Sequence, residues 1–151
     1  MQNRQIYAIL IVLISDFQEA VMQKILGYLR KAVQRYDMLS DGDRVCVGVS
    51  GGKDSVVLLY GLTLLKRFIG IDYQVVGLTL DPNFGGVQTD YSPVADFCAT
   101  HDIEYHVVQT QIGEIVFDVR KEPNPCSLCA RMRRGALHTD AVELGCNKVA
   151  H

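Results

Sequence analysis

Two short stretches of this sequence hold residues whose types and spacing can do chemistry: Ser50-Gly51-Gly52-Lys53-Asp54-Ser55, and Cys126-Ser-Leu-Cys129 with Arg131, Arg133 and Arg134 just behind it. In the first, a glycine pair lets the backbone turn tightly and brings N–H groups close to an anion with no Cβ in the way. Ser50 and Ser55 supply hydroxyl donors, and Lys53 supplies a point charge. A helix following the loop would add about half a positive charge at its N-terminus. The stretch nevertheless fails the G-x-x-x-x-G-K-[ST] pattern, because Asp54 follows Lys53 and Val47 stands where the first glycine should be. A carboxylate facing a phosphate makes sense if it holds Mg²⁺ or caps the helix. The plainer alternative is a Gly-Gly turn with an Asp or Ser cap.

The second stretch places Cys126 and Cys129 three residues apart, on one side of a helix start. The helix N-terminus and the three arginines favour thiolates, which at this spacing serve a metal, a cluster or a redox pair. Zinc or a cluster needs about four ligands, or three with one position open. Cys46, Cys98 and Cys146 read as small core or structural residues, so no third ligand is evident in the chain.

The rest of the sequence must position these two stretches. With 151 residues and 48% hydrophobic content, the chain suits one domain with a real core. A net charge of −2 gives no global case for nucleic-acid binding, so any such case must be local. The odd cysteine count at scattered spacings favours reduced thiols in the cytosol. The apolar run Ile6–Ile14 is shorter than the roughly 20 residues a membrane span needs, and no small-x-small cleavage site follows it. Residues 1–21 therefore read as an apolar N-terminal extension, expected to lie upstream of the natural start at Met22.

A helix is expected from Met22, where Ile25, Leu26, Leu29, Val33 and Tyr36 fall at helical spacing. A buried strand is expected over Arg44–Ser50, then a helix over Asp54–Phe68 capped by Asp54 or Ser55. A second strand spans Tyr73–Asp81, a helix Tyr91–His101, a third strand Glu104–Thr110. "EIVFDVR" is ambiguous, a helix follows from Ser127 to about Leu144, and Asn147–His151 opens another strand. This alternation predicts an α/β chain with a parallel sheet and flanking helices, interrupted in the middle of a βα pattern.

The S-G-G-K-D-S loop after a strand resembles the PP-loop of the N-type ATP pyrophosphatases, and the resemblance implies the adenine-nucleotide α-hydrolase-like (HUP/PP-loop) fold, incomplete at the C-terminus. Those enzymes cleave ATP between the α- and β-phosphates, adenylate a substrate oxygen and release pyrophosphate. The resemblance makes Ser50, Gly51, Gly52, Asp54 and Ser55 the pyrophosphate binders, with Lys53 alongside and the adenine near Leu80 and Asp81. Joined with "PCSLCARMRRG", it narrows to the tRNA 2-thiocytidine synthetase group (TtcA-like), covering residues 22–151. In that group an activated cytidine at tRNA position 32 receives sulfur, and two motif cysteines plus a third further along hold a 4Fe–4S cluster. The implied cofactors are ATP, Mg²⁺ and the iron–sulfur cluster, with Asp54, Cys126 and Cys129 as the catalytic residues and the two cysteines as metal ligands. The implied partners are tRNA, met by Arg131, Arg133 and Arg134, and an unidentified sulfur donor. A cytoplasmic enzyme with no membrane contact and a possible homodimer complete the expectation. Three alternatives stay open: the related group that thiolates uridine 54, a zinc-binding PP-loop protein, and a non-catalytic ATP-binding fragment.

Overall fold

Runs rich in valine and leucine form four parallel strands: β1 (Arg44–Gly48), β2 (Gln74–Asp81), β3 (Glu104–Gln109) and β4 (Lys148–Ala150). They lie in the order β3-β2-β1-β4, with Val45 opposite both Val75 and Lys148. The computed structural model describes residues 2–87, 89–121 and 123–151, with side chains from residue 19 onward. The side chains of the apolar run Ile6–Ile14 lie outside that set.

Alternation along β1 sends its side chains to two different cores. Val45, Val47 and Val49 pack under α2 (Lys53–Ile69) with Leu59, Leu62 and Leu65, together with Leu26 and Val33 of α1 (Gln2–Arg35) and Cys98 of α3 (Ser92–Thr100). On the opposite face, Cys46 joins Val76, Leu78 and Leu80 of β2, covered by Leu137 and Ala141 of α5 (Pro125–Glu143) and by Cys146. Cys46, Cys98 and Cys146 are all buried, as expected of core thiols. Between β3 and α5 a single α turn, α4 (Ile112–Glu114), runs into a π-helical turn, Ile115–Arg120. Among the described residues no helix is long and apolar enough to cross a membrane.

The helix expected from Met22 falls inside α1. Two expectations about helix starts are corrected. α2 has Gly52 as its N-cap, in extended backbone and without a side-chain cap, because the Ser55 hydroxyl turns back to the Gly52 carbonyl at 2.8 Å. Asp54 sits inside the first turn instead. α5 begins at Pro125 rather than Ser127: proline suits the first helical position, and the Asn124 side chain accepts the Ser127 amide at 3.3 Å.

At the N-terminal edge of the sheet, buried Asp43 ties β1 to β4. Its carboxylate accepts the Ser40 amide at 2.7 Å and Asn147 Nδ2 at 2.8 Å, and Lys148 Nζ lies 3.3 Å away. The Ser40 N–H, then Asn147 and Lys148, hold this carboxyl below the ordinary aspartate value of 3.8. A depressed carboxylate stabilises the fold above its unfolded pKa, and that contribution is lost as pH falls through the folded value. Asp43→Ala is therefore expected to lower the urea midpoint at neutral pH. The gap to the unsubstituted chain should close as the pH drops below about 4, which denaturation at both pH values measures.

Candidate functional site

From β1 the chain moves to β2 and β3 on one side of the sheet, and β4 returns on the other. The direction reverses at the carboxyl end of β1, the place where open α/β sheets leave a crevice for ligands. The Ser50–Ser55 loop is built there, between β1 and α2.

Its shape comes from a closed set of hydrogen bonds. The Ser50 amide donates to Ser55 Oγ at 3.1 Å, Ser55 Oγ donates to the Gly52 carbonyl at 2.8 Å, and the Gly52 amide donates to Ser50 Oγ at 3.3 Å. Gly51 has φ +83°, a conformation only glycine adopts readily. The serines thus hold the turn while Gly51, Gly52, Lys53 and Asp54 face solvent. The N–H groups of the first turn of α2 have no acceptor within the helix, so they and the helix dipole face the opening. Such a turn can cradle an anion, with the exposed Asp54 carboxylate beside it.

The cradle is fixed to the sheet through Val49. The Val49 amide donates to the Leu78 carbonyl at 2.8 Å, and its own carbonyl accepts Thr79 Oγ1 at 2.8 Å. The single Thr79 proton is spent there, so the Tyr105 hydroxyl, 2.7 Å away, donates to Thr79. Burial pushes the Tyr105 phenol up. Thr79→Val leaves two groups without their partner at a buried position. It is expected to cost about 1–3 kcal/mol of stability and to weaken nucleotide binding. Urea denaturation and calorimetric titration check the two effects; an unchanged affinity would show that this chain of hydroxyls does not position the loop.

Two clefts flank the loop. One, of about 140 Å³, lies at the strand reversal between Ser50, Leu80, Arg134, Leu137 and His151. The other, of about 440 Å³, lies between Ser50, Gly51, Phe84, Tyr91 and Asp90. Arg133 lines both. A larger groove of about 730 Å³ runs between α1 and α2, walled by Met22, Leu26, Tyr60 and Leu64. It is mostly apolar and holds none of the loop or motif residues, so its size does not make it the site of the chemistry.

α5 connects the loop to the cysteines. An added Cβ on Gly48 would stand 2.9 Å from Leu137 Cδ2, so the missing side chain lets α5 rest on the end of β1. Cys126, Cys129, Arg133 and Leu137 fall at i, i+3, i+7 and i+11, one stripe along this helix. With a rise of about 1.5 Å per residue, Cys129 stands roughly 12 Å along the axis from Leu137. Cys126 is exposed, whereas Cys129 is 9% exposed and packs with Ile112, Val116 and Leu128.

The structure divides the expected residues. Arg133 and Arg134 face the clefts, while Arg131 is exposed and lines neither. Leu80 lines the smaller cleft. Asp81 is 1% exposed and its carboxylate accepts the Asn83 amide at 3.0 Å and Gln109 Nε2 at 3.2 Å, which makes it a builder of the following loop. Thr79, Tyr105, Phe84 and Tyr91 carried no motif; the stripe Cys126–Cys129–Arg133 was the one signal that could have separated Arg133 from its neighbours. Among the described residues no three His, Cys, Asp or Glu side chains gather as a metal site. Cys126 and Cys129, three residues apart at the start of α5, could offer two thiolates to a cluster or a zinc ion.

No protein-family model matches the chain. Its fold is that of the PP-loop group: it superposes on an NAD⁺ synthetase from Burkholderia pseudomallei with a TM-score of 0.51 over 85% of this chain and 59% of that one, at 16% identity, a likeness of fold alone. A higher TM-score, 0.66, is reached with the U34-tRNA thiolase NcsA from Methanococcus maripaludis, solved with its [4Fe-4S] cluster, at 26% identity and with coverage of 85% of this chain and 43% of that one.

In sequence the chain is similar to proteins named tRNA-cytidine(32) 2-sulfurtransferase. The one from Citrifermentans bemidjiense is 37% identical over 135 residues, 88% of this chain and 52% of that protein. The one from Pelobacter propionicus is 43% identical over 121 residues, 80% of this chain and 44% of that protein. The resemblance drawn from the two motifs thus holds along the chain, which spans about half the length of the curated relatives it matches.

Proposed function

We propose that this chain is the nucleotide-binding part of an ATP-dependent tRNA 2-thiolation enzyme, acting on cytidine 32 of the anticodon loop. The observation that carries the reading is the α5 stripe, which sets two thiols and Arg133 on the helix that closes over the phosphate loop. The loop amides, Ser50, Ser55 and Lys53 hold the β- and γ-phosphates, and Asp54 holds Mg²⁺ against them. Arg133, between the two clefts, faces the charge that develops as the nucleobase oxygen attacks the α-phosphorus and pyrophosphate departs. Adenylation turns that oxygen into a leaving group, with AMP departing when sulfur takes its place.

Cys126 and Cys129 would supply two thiolate ligands of a 4Fe–4S cluster. When bound, the cluster would supply iron chemistry for handling the sulfur beside the activated base. Arg131 and Arg134 meet tRNA phosphates, the sulfur comes from an unidentified donor, and a homodimer is compatible with one site per chain. The 34–43% identity to relatives named for cytidine, against 26% to the uridine thiolase, favours cytidine over the uridine reading. Incubation of unmodified tRNA with the chain, ATP and Mg²⁺ tests the first half-reaction: tRNA-dependent pyrophosphate release is expected. Release that is equal with and without tRNA would contradict it.

A further inference from the structure

Of the two clefts beside the loop, the larger is lined by Phe84, and Phe117 packs against that ring from outside the cleft; both are left half exposed. Phe84 is 46% exposed and Phe117 47%, in an edge-to-face pair with centroids 5.6 Å apart. Large apolar rings left half in water forgo part of their burial free energy, so such a pair beside a cleft invites a ligand. The turn that presents Phe84 is a built one. The Asp81 carboxylate holds the Asn83 amide, and the Gly113 amide donates to the Pro82 carbonyl at 2.8 Å. A Cβ on Gly113 would come within 2.6 Å of that carbonyl and 3.0 Å of Phe84 Cδ1, so a glycine is required for the turn to seat. Phe117 stands on the π-helical turn, a feature that recurs at functional sites.

The cleft behind this pair holds Ser50 and Gly51 of the phosphate loop, Arg133, Tyr91 and Asp90, and its 440 Å³ falls within the about 300–1,000 Å³ of small-ligand sites. We propose that this cleft seats the nucleobase to be modified, taken as an unstacked single-stranded pyrimidine lying on Phe84 with Phe117 bracing that ring. The inference rests on the tRNA reading above. Splayed-out bases of RNA loops are bound by aromatic stacking and by polar groups that read their edges, and this cleft offers both. It also sets the base beside the loop that holds the phosphates, on the side of α5 that carries the cysteines. The adenine of ATP is left the smaller crevice at the strand reversal, against Leu80 and Leu137.

The test uses an anticodon stem-loop RNA with a fluorescent cytidine analogue at the target position, titrated with the full chain, and a nonhydrolysable ATP analogue titrated separately. The unsubstituted chain is expected to bind the RNA and quench the analogue. Phe84→Ala should weaken RNA binding about tenfold, in keeping with base–aromatic stacking, and lose the quench, while ATP-analogue affinity stays unchanged and Phe84→Tyr behaves as the unsubstituted chain. Phe84→Leu, which keeps the apolar bulk without the ring, should also lose the quench and serves if the alanine variant does not fold. RNA binding and quenching that survive Phe84→Ala overturn the stacking site and leave the tRNA reading standing. A fall in ATP affinity with RNA binding intact overturns it too, by placing adenine in this cleft. No RNA binding by the unsubstituted chain counts against the tRNA reading itself.

Discussion

Asp54→Ala is expected to abolish Mg²⁺-dependent ATP binding, a loss of at least about 100-fold, or roughly 2.7 kcal/mol. Asp54 is an exposed carboxylate in the first turn of α2, next to the exposed Lys53 and the unpaired amides of the helix start. Alone it would repel a triphosphate; with a hard cation between them it becomes a ligand. The signature is a loss of Mg²⁺ dependence. Metal-free ATP should bind the variant no worse than the unsubstituted chain, and slightly better where repulsion is relieved. If Asp54 merely complements the helix dipole, its removal changes stability by about 0.3–1 kcal/mol and leaves the magnesium dependence intact. Calorimetric titration of ATP with and without Mg²⁺ separates the two, with Asp54→Asn as the variant closest in shape.

Cys126→Ser is expected to eliminate the iron–sulfur absorbance that the unsubstituted chain acquires on anaerobic reconstitution with iron and sulfide. Cys126 is exposed near the start of α5, so a hydroxyl there disturbs no packing and the variant should keep its thermal midpoint. A serine is a poor ligand for a cluster held by thiolates. Cys129→Ser should also lose the cluster, but it is the less clean variant: the side chain packs with Ile112, Val116 and Leu128, and an unpaired hydroxyl there costs about 1–3 kcal/mol. Absorbance that survives Cys126→Ser contradicts the cluster assignment. Binding of zinc without absorbance favours the zinc reading.

The central strands β1 and β2 were legible because they are buried on both faces and therefore written as β-branched runs, as in Val45-Cys-Val47 and Val75-Val76. The loop was legible because a glycine pair between strand and helix has few other uses. The cap of α2 was not: Asp54 and Ser55 are both good capping types, and only the backbone shows that Gly52 takes the position while Ser55 bends back to lock the turn. Ile115–Arg120 was ambiguous for a physical reason, since Ile-Val-Phe-Asp-Val satisfies strand propensity while the chain there winds a π turn against Cys129. The three arginines looked alike as a cluster of charge. Their separation into Arg133 at the cradle and Arg131 in solvent follows from the angle at which Leu137 lands on Gly48, a tertiary fact.

The most direct measurement is a crystal of the chain grown with a nonhydrolysable ATP analogue and Mg²⁺. Phosphate density is expected against the amides of the Ser50–Ser55 turn, with the metal between Asp54 and the outer phosphates. Nucleotide found instead in the apolar groove of about 730 Å³ between α1 and α2, or phosphates that leave the turn empty, would contradict the account.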